Sequence, residues 1–194
     1  MRTFCLFLFL TFLICTSAVA QGTHNNILSG GYKFFSAGQS GSNTHGVFFA
    51  YDRLMFRGLL NLSVQPYWGL NRKSSGAVLA ASYVVGANRK VNFTIGPQFQ
   101  IWVQEDSYTN FYTRLNQEDP IISETHPTTK GAFLANAGFR VFVKNNFLFS
   151  TNLHVGSVLF DTYENRNPDA DLKKARSFAD DAFIGVNIGA GYRF

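Results

Sequence analysis

Residues Ala182 to Phe194 read A-F-I-G-V-N-I-G-A-G-Y-R-F, and their alternation decides the fold. The even positions are Ala182, Ile184, Val186, Ile188, Ala190, Tyr192 and Phe194, all apolar or aromatic. The odd positions, Phe183 apart, are Gly185, Asn187, Gly189, Gly191 and Arg193. Successive side chains on a strand point to opposite faces, so one face here is continuously greasy and the other mostly small or polar. Thirteen such residues, uncharged on the apolar face and ending on an aromatic, fit a lipid-facing strand that crosses an outer membrane.

The opposite end of the chain fits export. Arg2 supplies a positive start, Phe4 to Cys15 an apolar run, and Ala18-Val19-Ala20 a small-x-small cleavage site. Residues 1–20 therefore read as a secretory signal peptide and residues 21–194 as one exported domain. As a membrane anchor the run is short and has no stop-transfer flank, and Ile14 is bulky where a lipid-attachment box at Cys15 needs a small residue. Both cysteines, Cys5 and Cys15, fall inside the signal, so the exported domain has no disulfide, thiolate nucleophile or cysteine metal site. No later apolar run is long enough for a transmembrane helix.

With period two as a ruler, seven more strands appear. The clearest are Val91 to Gln104, Gly131 to Val143 and Phe147 to Phe160. In the first, Val91, Phe93, Ile95, Phe99, Ile101 and Val103 oppose Asn92, Thr94, Gln98, Gln100 and Gln104. Leu59 to Leu70 alternates as well, and Ile27 to Ser36, His45 to Asp52 and Ala77 to Gly86 complete the set with less distinct faces. No stretch carries apolar residues at the helical period for three turns. The expectation is an all-β, eight-stranded antiparallel transmembrane barrel following the signal peptide. Pro66 and Pro97 fall inside proposed strands, where proline cannot donate to the ladder, so each is expected to mark a bulge or a strand end.

The connections orient the barrel. Arg53 to Gly58, Ala87 to Lys90 and Lys144 to Asn146 are uniformly short, whereas Glu105 to Lys130 and Asp161 to Asp181 are long. Short periplasmic turns and long outer loops are the habit of outer-membrane barrels. Eleven of the twelve acidic residues fall in the two long segments, and only Asp52 lies elsewhere. The short turns carry Arg53, Arg57, Arg89, Lys90 and Lys144 instead. The formal net charge of +5 raises nucleic acid as a partner, but the cations are scattered and form no aromatic-basic stripe, so none is expected.

An eight-stranded barrel has an interior just wide enough for side chains to fill, which argues against a wide pore. The inward set is Lys33, Asp52, Asn61, Gln65, Asn92, Gln98, Gln100, Asn136, Arg140, Asn152, His154, Asn187 and Arg193. Its simplest role is a hydrogen-bonded lumen network, because unpartnered buried polar groups are costly. A narrow channel or small-ligand site is the alternative. His154 is the one catalytic candidate, for a lipid deacylase. However, Ser157 lies three residues on and faces the other side, and Ser150 shares its face at roughly 13 Å. The run Asn165 to Asp171 has oxygen ligands at every second place but lacks the glycine and closing glutamate of a calcium loop. No catalytic residue, cofactor or resident metal is expected.

Taken together, the signal peptide, the eight alternating strands, the loop asymmetry and the closing G-A-G-Y-R-F resemble the small outer-membrane β-barrels of Gram-negative bacteria, the OmpX/OmpA-barrel-like group. The Phe- and Asn-rich style is similar to barrels from Bacteroidota. The resemblance implies a bacterial outer-membrane location, a monomer among outer-membrane lipid and lipopolysaccharide, and a structural or surface-interaction role through long outer loops. It implies that the Tyr192-x-Phe194 ending is read by the barrel assembly machinery. Divalent cations or a macromolecular partner would then meet the acidic loops.

Overall fold

A computed structural model describes residues 25–37, 42–71, 74–87, 89–110, 122–143, 146–161 and 182–194. The signal-peptide reading of residues 1–20 and the oxygen-rich run Asn165 to Asp171 lie outside them. Eight strands form a closed barrel in sequence order: β1 (Asn26–Ala37), β2 (Ser42–Met55), β3 (Leu60–Gly69), β4 (Ser75–Val85), β5 (Val91–Asn110), β6 (Ile122–Phe142), β7 (Phe147–Asp161) and β8 (Ala182–Arg193). Every neighbouring pair is antiparallel, and β1 closes the ring against β8. Closure leaves the sheet no edge along its common height, as a span through hydrocarbon requires. No helix among the described residues is long and apolar enough to cross a membrane.

Alternation sorts the residues as the pattern demands. On β8, Ile184, Ile188, Tyr192 and Phe194 are exposed, whereas Phe183 and Asn187 are buried inside. At ~3.3 Å per residue and a tilt of ~40°, the outer face from Ile184 to Phe194 rises about 25 Å, the height of the apolar band of an outer-membrane barrel. Leu28, Phe49, Leu79, Ile95, Phe133 and Phe149 continue the exposed apolar belt around the other strands.

Two expectations need correction. The first concerns Pro66 and Pro97, which mark neither a bulge nor a strand end. The β2–β3 register is the same either side of Pro66, and only the rungs facing Phe49 and Ala50 are missing. On its other flank Pro66 pairs regularly with Ala77. Likewise the β4–β5 register is unchanged across Pro97, which pairs with Ala135 on β6. The missing N–H therefore interrupts one ladder locally while the register holds through its neighbours.

The second correction concerns Glu105 to Lys130, expected as a loop. The β5–β6 ladder continues through it from Trp102↔Lys130 to Asn110↔Ile122. Among the described residues β4 pairs with β5 only as far as Val103 and β7 with β6 only as far as Lys130, so the outer β5–β6 rungs form a two-stranded arm there. The β6–β7 pairing also holds one irregularity, a register shift between Gly131 and Ala132. Leu159 is the extra residue there, so Leu159 and Phe160 both face outward.

Candidate functional site

The lumen is stacked in three layers. Toward the loop end, the rings of Phe35, Tyr67, Trp102 and Phe183 are fully buried and meet one another at 5.2–5.9 Å between centroids. Ala37, Phe48, Ala50, Val78, Ala132 and Leu134 complete this cluster. Toward the short-turn end, Ile27, Leu54, Val84 and Leu148 form a second apolar layer, with Ala87 and Phe142 packed against it. A polar chamber lies between the two.

The strand period delivers the polar side chains to the chamber. Asp52 of β2 accepts from Asn61 Nδ2 at 3.1 Å and pairs with Arg140 Nη2 at 2.9 Å. Asn136 Nδ2 donates to Ser82 Oγ at 3.2 Å, and Asn187 Nδ2 donates to Gln65 Oε1 at 3.1 Å. Ser29, Gln98, Asn152, Ser150 and His154 share the lining with Asp52 and Arg140. Gly138 makes room for Asn152, because a Cβ there would strike the Asn152 side-chain oxygen. The chamber has a cavity volume of about 30 Å³. One water needs roughly 10–15 Å³ by the same measure, so two or three waters fit and a sugar does not.

Lys33 belongs to the roof of the chamber. Its Nζ donates to Gln100 Oε1 at 2.7 Å, and Gln100 Nε2 donates to Tyr67 Oη at 2.9 Å. The ammonium also lies 4.5 Å from the Tyr67 ring centroid and 5.5 Å from that of Phe35, so aromatic faces replace part of its hydration. Above it, Trp102 Nε1 donates to Gln104 Oε1 at 3.0 Å.

Of the inward residues read from the sequence, Lys33, Asp52, Gln98, Gln100, Asn136, Arg140, His154 and Asn187 are buried, and Asn152 is half-buried. They do not form one network. Lys33 and Gln100 make the roof, Asp52 and Arg140 the middle, and Arg193 lies at the short-turn mouth, 5.5 Å from the Phe142 ring centroid. His154 faces the chamber with the Asn187 side chain beside its ring, and neither ring nitrogen meets full hydrogen-bond geometry. Tyr192 and Phe194 lie exposed on the outer face, with Tyr192 edge-on to Phe147 at 5.2 Å. No cluster of metal-ligating side chains occurs among the described residues.

Sequence reading missed the two apolar layers. The signal was present in the strand parity: Phe35 is two residues from Lys33, Tyr67 two from Gln65, Trp102 two from Gln100 and Phe183 four from Asn187. Each shares the face of its polar neighbour.

A closed ring of eight antiparallel strands with an apolar outside and a filled inside has clear parallels among solved structures. Neisserial surface protein A, from Neisseria, superposes with a TM-score of 0.53 at 9% identity, covering 90% of this chain and 100% of its own. This is the fold of the small outer-membrane β-barrels. The attachment invasion locus protein Ail of Yersinia pestis, in complex with the heparin analogue sucrose octasulfate, superposes at 0.50 with 14% identity, covering 89% of this chain and 100% of its own. No family model matches the sequence, and no curated protein aligns with it significantly. At these identities the likeness shows the fold and leaves the role to the residues.

Proposed function

We propose that the chain is an outer-membrane barrel that serves as a rigid mount, with its working surface at the loop end and not in the lumen. The observation that carries this reading is the pair of apolar layers that flank the polar chamber, one toward each end of the barrel. With room for a few waters between them, the lumen offers no path or seat for a solute. This disfavours the narrow-channel and ligand-carrier alternative. The same closure argues against lipid modification at His154, which a lipid ester outside the barrel could not reach although Ser150 and Asp52 share its cavity.

The exposed apolar belt supports membrane placement, and the acid-rich segments Glu105 to Lys130 and Asp161 to Asp181 supply the chemistry of the loop end. Carboxylates suit divalent cations, cation-bridged lipopolysaccharide phosphates or a basic partner. The arm formed by β5 and β6 raises part of the first segment above the barrel rim.

The test joins two measurements. Reconstituted barrel should show no single-channel conductance in planar bilayers, and protease added to intact cells should cut within residues 111–121 or 162–181 while leaving the strand region whole. Steady conductance would move the function to the lumen. Cleavage confined to the short turns would invert the topology.

A further inference from the structure

The short-turn rim carries a surface that the mounting role does not use. Between β2 and β3 the chain turns through Phe56, Arg57 and Gly58, with φ of 51°, 59° and 87°. Glycine adopts these left-handed values freely, but phenylalanine and arginine do so only at a conformational cost, and asparagine would be the ordinary choice. The strained turn presents Phe56 outward at 70% relative exposure, above every other large apolar residue among those described. Strain kept at a surface position is a pointer to use.

The next turn completes the surface. A Cβ on Gly58 would lie 3.1 Å from that of Ala87, so the β2–β3 turn rests against the β4–β5 turn, which carries Arg89 and Lys90. Arg57, Arg89 and Lys90 are exposed and Arg53 is half-exposed. No ion pair joins any of the four to another described residue. The one acid read at this end of the sequence, Asp52, is buried and committed to Arg140. Leu59, Tyr83, Val85 and Phe93, on the strand ends that lead into these turns, are exposed apolar residues of the outer belt. Apolar surface, then an aromatic, then cations is the order of hydrocarbon, interface and phosphate in a lipid leaflet.

We propose that the joined β2–β3 and β4–β5 turns form a binding surface for anionic phospholipid headgroups in the leaflet on the short-turn side. Phe56 enters the interface, and Arg57, Arg89 and Lys90, with Arg53 behind them, hold the phosphates. A soluble acidic partner would explain the cations but not the apolar approach from the belt. The inference rests on the outer-membrane reading above.

The full exported barrel is reconstituted into phosphatidylcholine vesicles with trace spin-labelled phosphatidylglycerol or phosphatidylcholine, and the motionally restricted fraction of each probe is compared. The expected result is a preference of about threefold or more for phosphatidylglycerol at low salt, lost at high salt and in an R57Q/R89Q/K90Q variant. In parallel, the added emission of Phe56→Trp should shift to the blue and be quenched by lipid brominated near the headgroup. Equal association of the two probes, or a preference unchanged by the triple variant, overturns the proposal. So does charge-dependent sedimentation of detergent-solubilised barrel with cell-wall polymer in the absence of lipid preference. Failure of the wild-type barrel to insert at all would sink the outer-membrane reading itself, and is separately visible as vesicle-free protein.

Discussion

Arg140 Nη2 on β6 lies 2.9 Å from Asp52 Oδ2 on β2, and those strands are four apart in a ring of eight, so one ion pair ties opposite walls of the barrel. Lys33 on β1 and Gln100 on β5 make a second tie across the same number of strands. Neither pair is close in sequence, and both depend on closure of the ring.

The Asp52–Arg140 tie is testable by removing one side. Asp52→Asn leaves a buried guanidinium without its counter-charge, at an expected loss of about 3–5 kcal/mol. Replacing both residues by apolar side chains of similar volume should restore most of that loss. Urea unfolding in lipid vesicles, followed by tryptophan emission, gives the values. A single variant as stable as the parent would mean that water already reaches Arg140.

The two faces of β8 should respond differently. Ile188 is 61% exposed on the outside, and its replacement by arginine should cost about 2–4 kcal/mol near the bilayer midplane. Asn187, beside it and buried, donates one hydrogen bond to Gln65, so Asn187→Ser should cost about 1 kcal/mol. Equal effects in vesicle unfolding would contradict the placement of the lipid face.

Most of the barrel was legible because strand period and membrane solvent select for the same alternation. In Ala182 to Phe194, every even residue must satisfy lipid, so the pattern is strict. The lumen is under no such uniform demand. Phe35, Tyr67, Trp102 and Phe183 occupy inward positions, and only the closed ring shows that they meet as a plug. The prolines misled for a related reason. A rule about one ladder cannot show that the neighbouring strands hold the register. The β5–β6 arm was hidden because acids and threonines replace apolar residues where a strand leaves the membrane, which removes the alternation but not the pairing.

Two apolar layers flank the lumen chamber, and as two seals in series they should not both fail when one is opened. Phe183→Ala or Trp102→Ala removes part of the outer plug at about 3–5 kcal/mol of stability, yet Ile27, Leu54, Val84 and Leu148 still block the other end. Single-plug variants are therefore expected to remain electrically silent in planar bilayers. Combining Phe183→Ala with Leu148→Ser should admit a small ionic leak, provided heat-modifiable gel migration shows the barrel still folded. Conductance in a single variant would mean that one of the layers does not seal.

Phe194 allows side chain and backbone to be separated. Its N–H donates to Asn26 O at 2.9 Å and its carbonyl accepts from Asn26 N–H at 3.1 Å, which fastens the seam between β1 and β8. Substitution leaves both bonds possible. Phe194→Asp should therefore keep the seam geometry while placing a carboxylate on the exposed apolar face, where both lipid and an aromatic-reading assembly machinery would reject it. The expected result in cells is loss of heat-modifiable, membrane-assembled protein and accumulation of unfolded chain in the periplasm, with Phe194→Tyr behaving as the parent. Normal assembly of the aspartate variant would show that the seam bonds suffice and that the terminal ring is not read. Failure of the tyrosine variant as well would point to a tighter steric requirement than aromatic character alone.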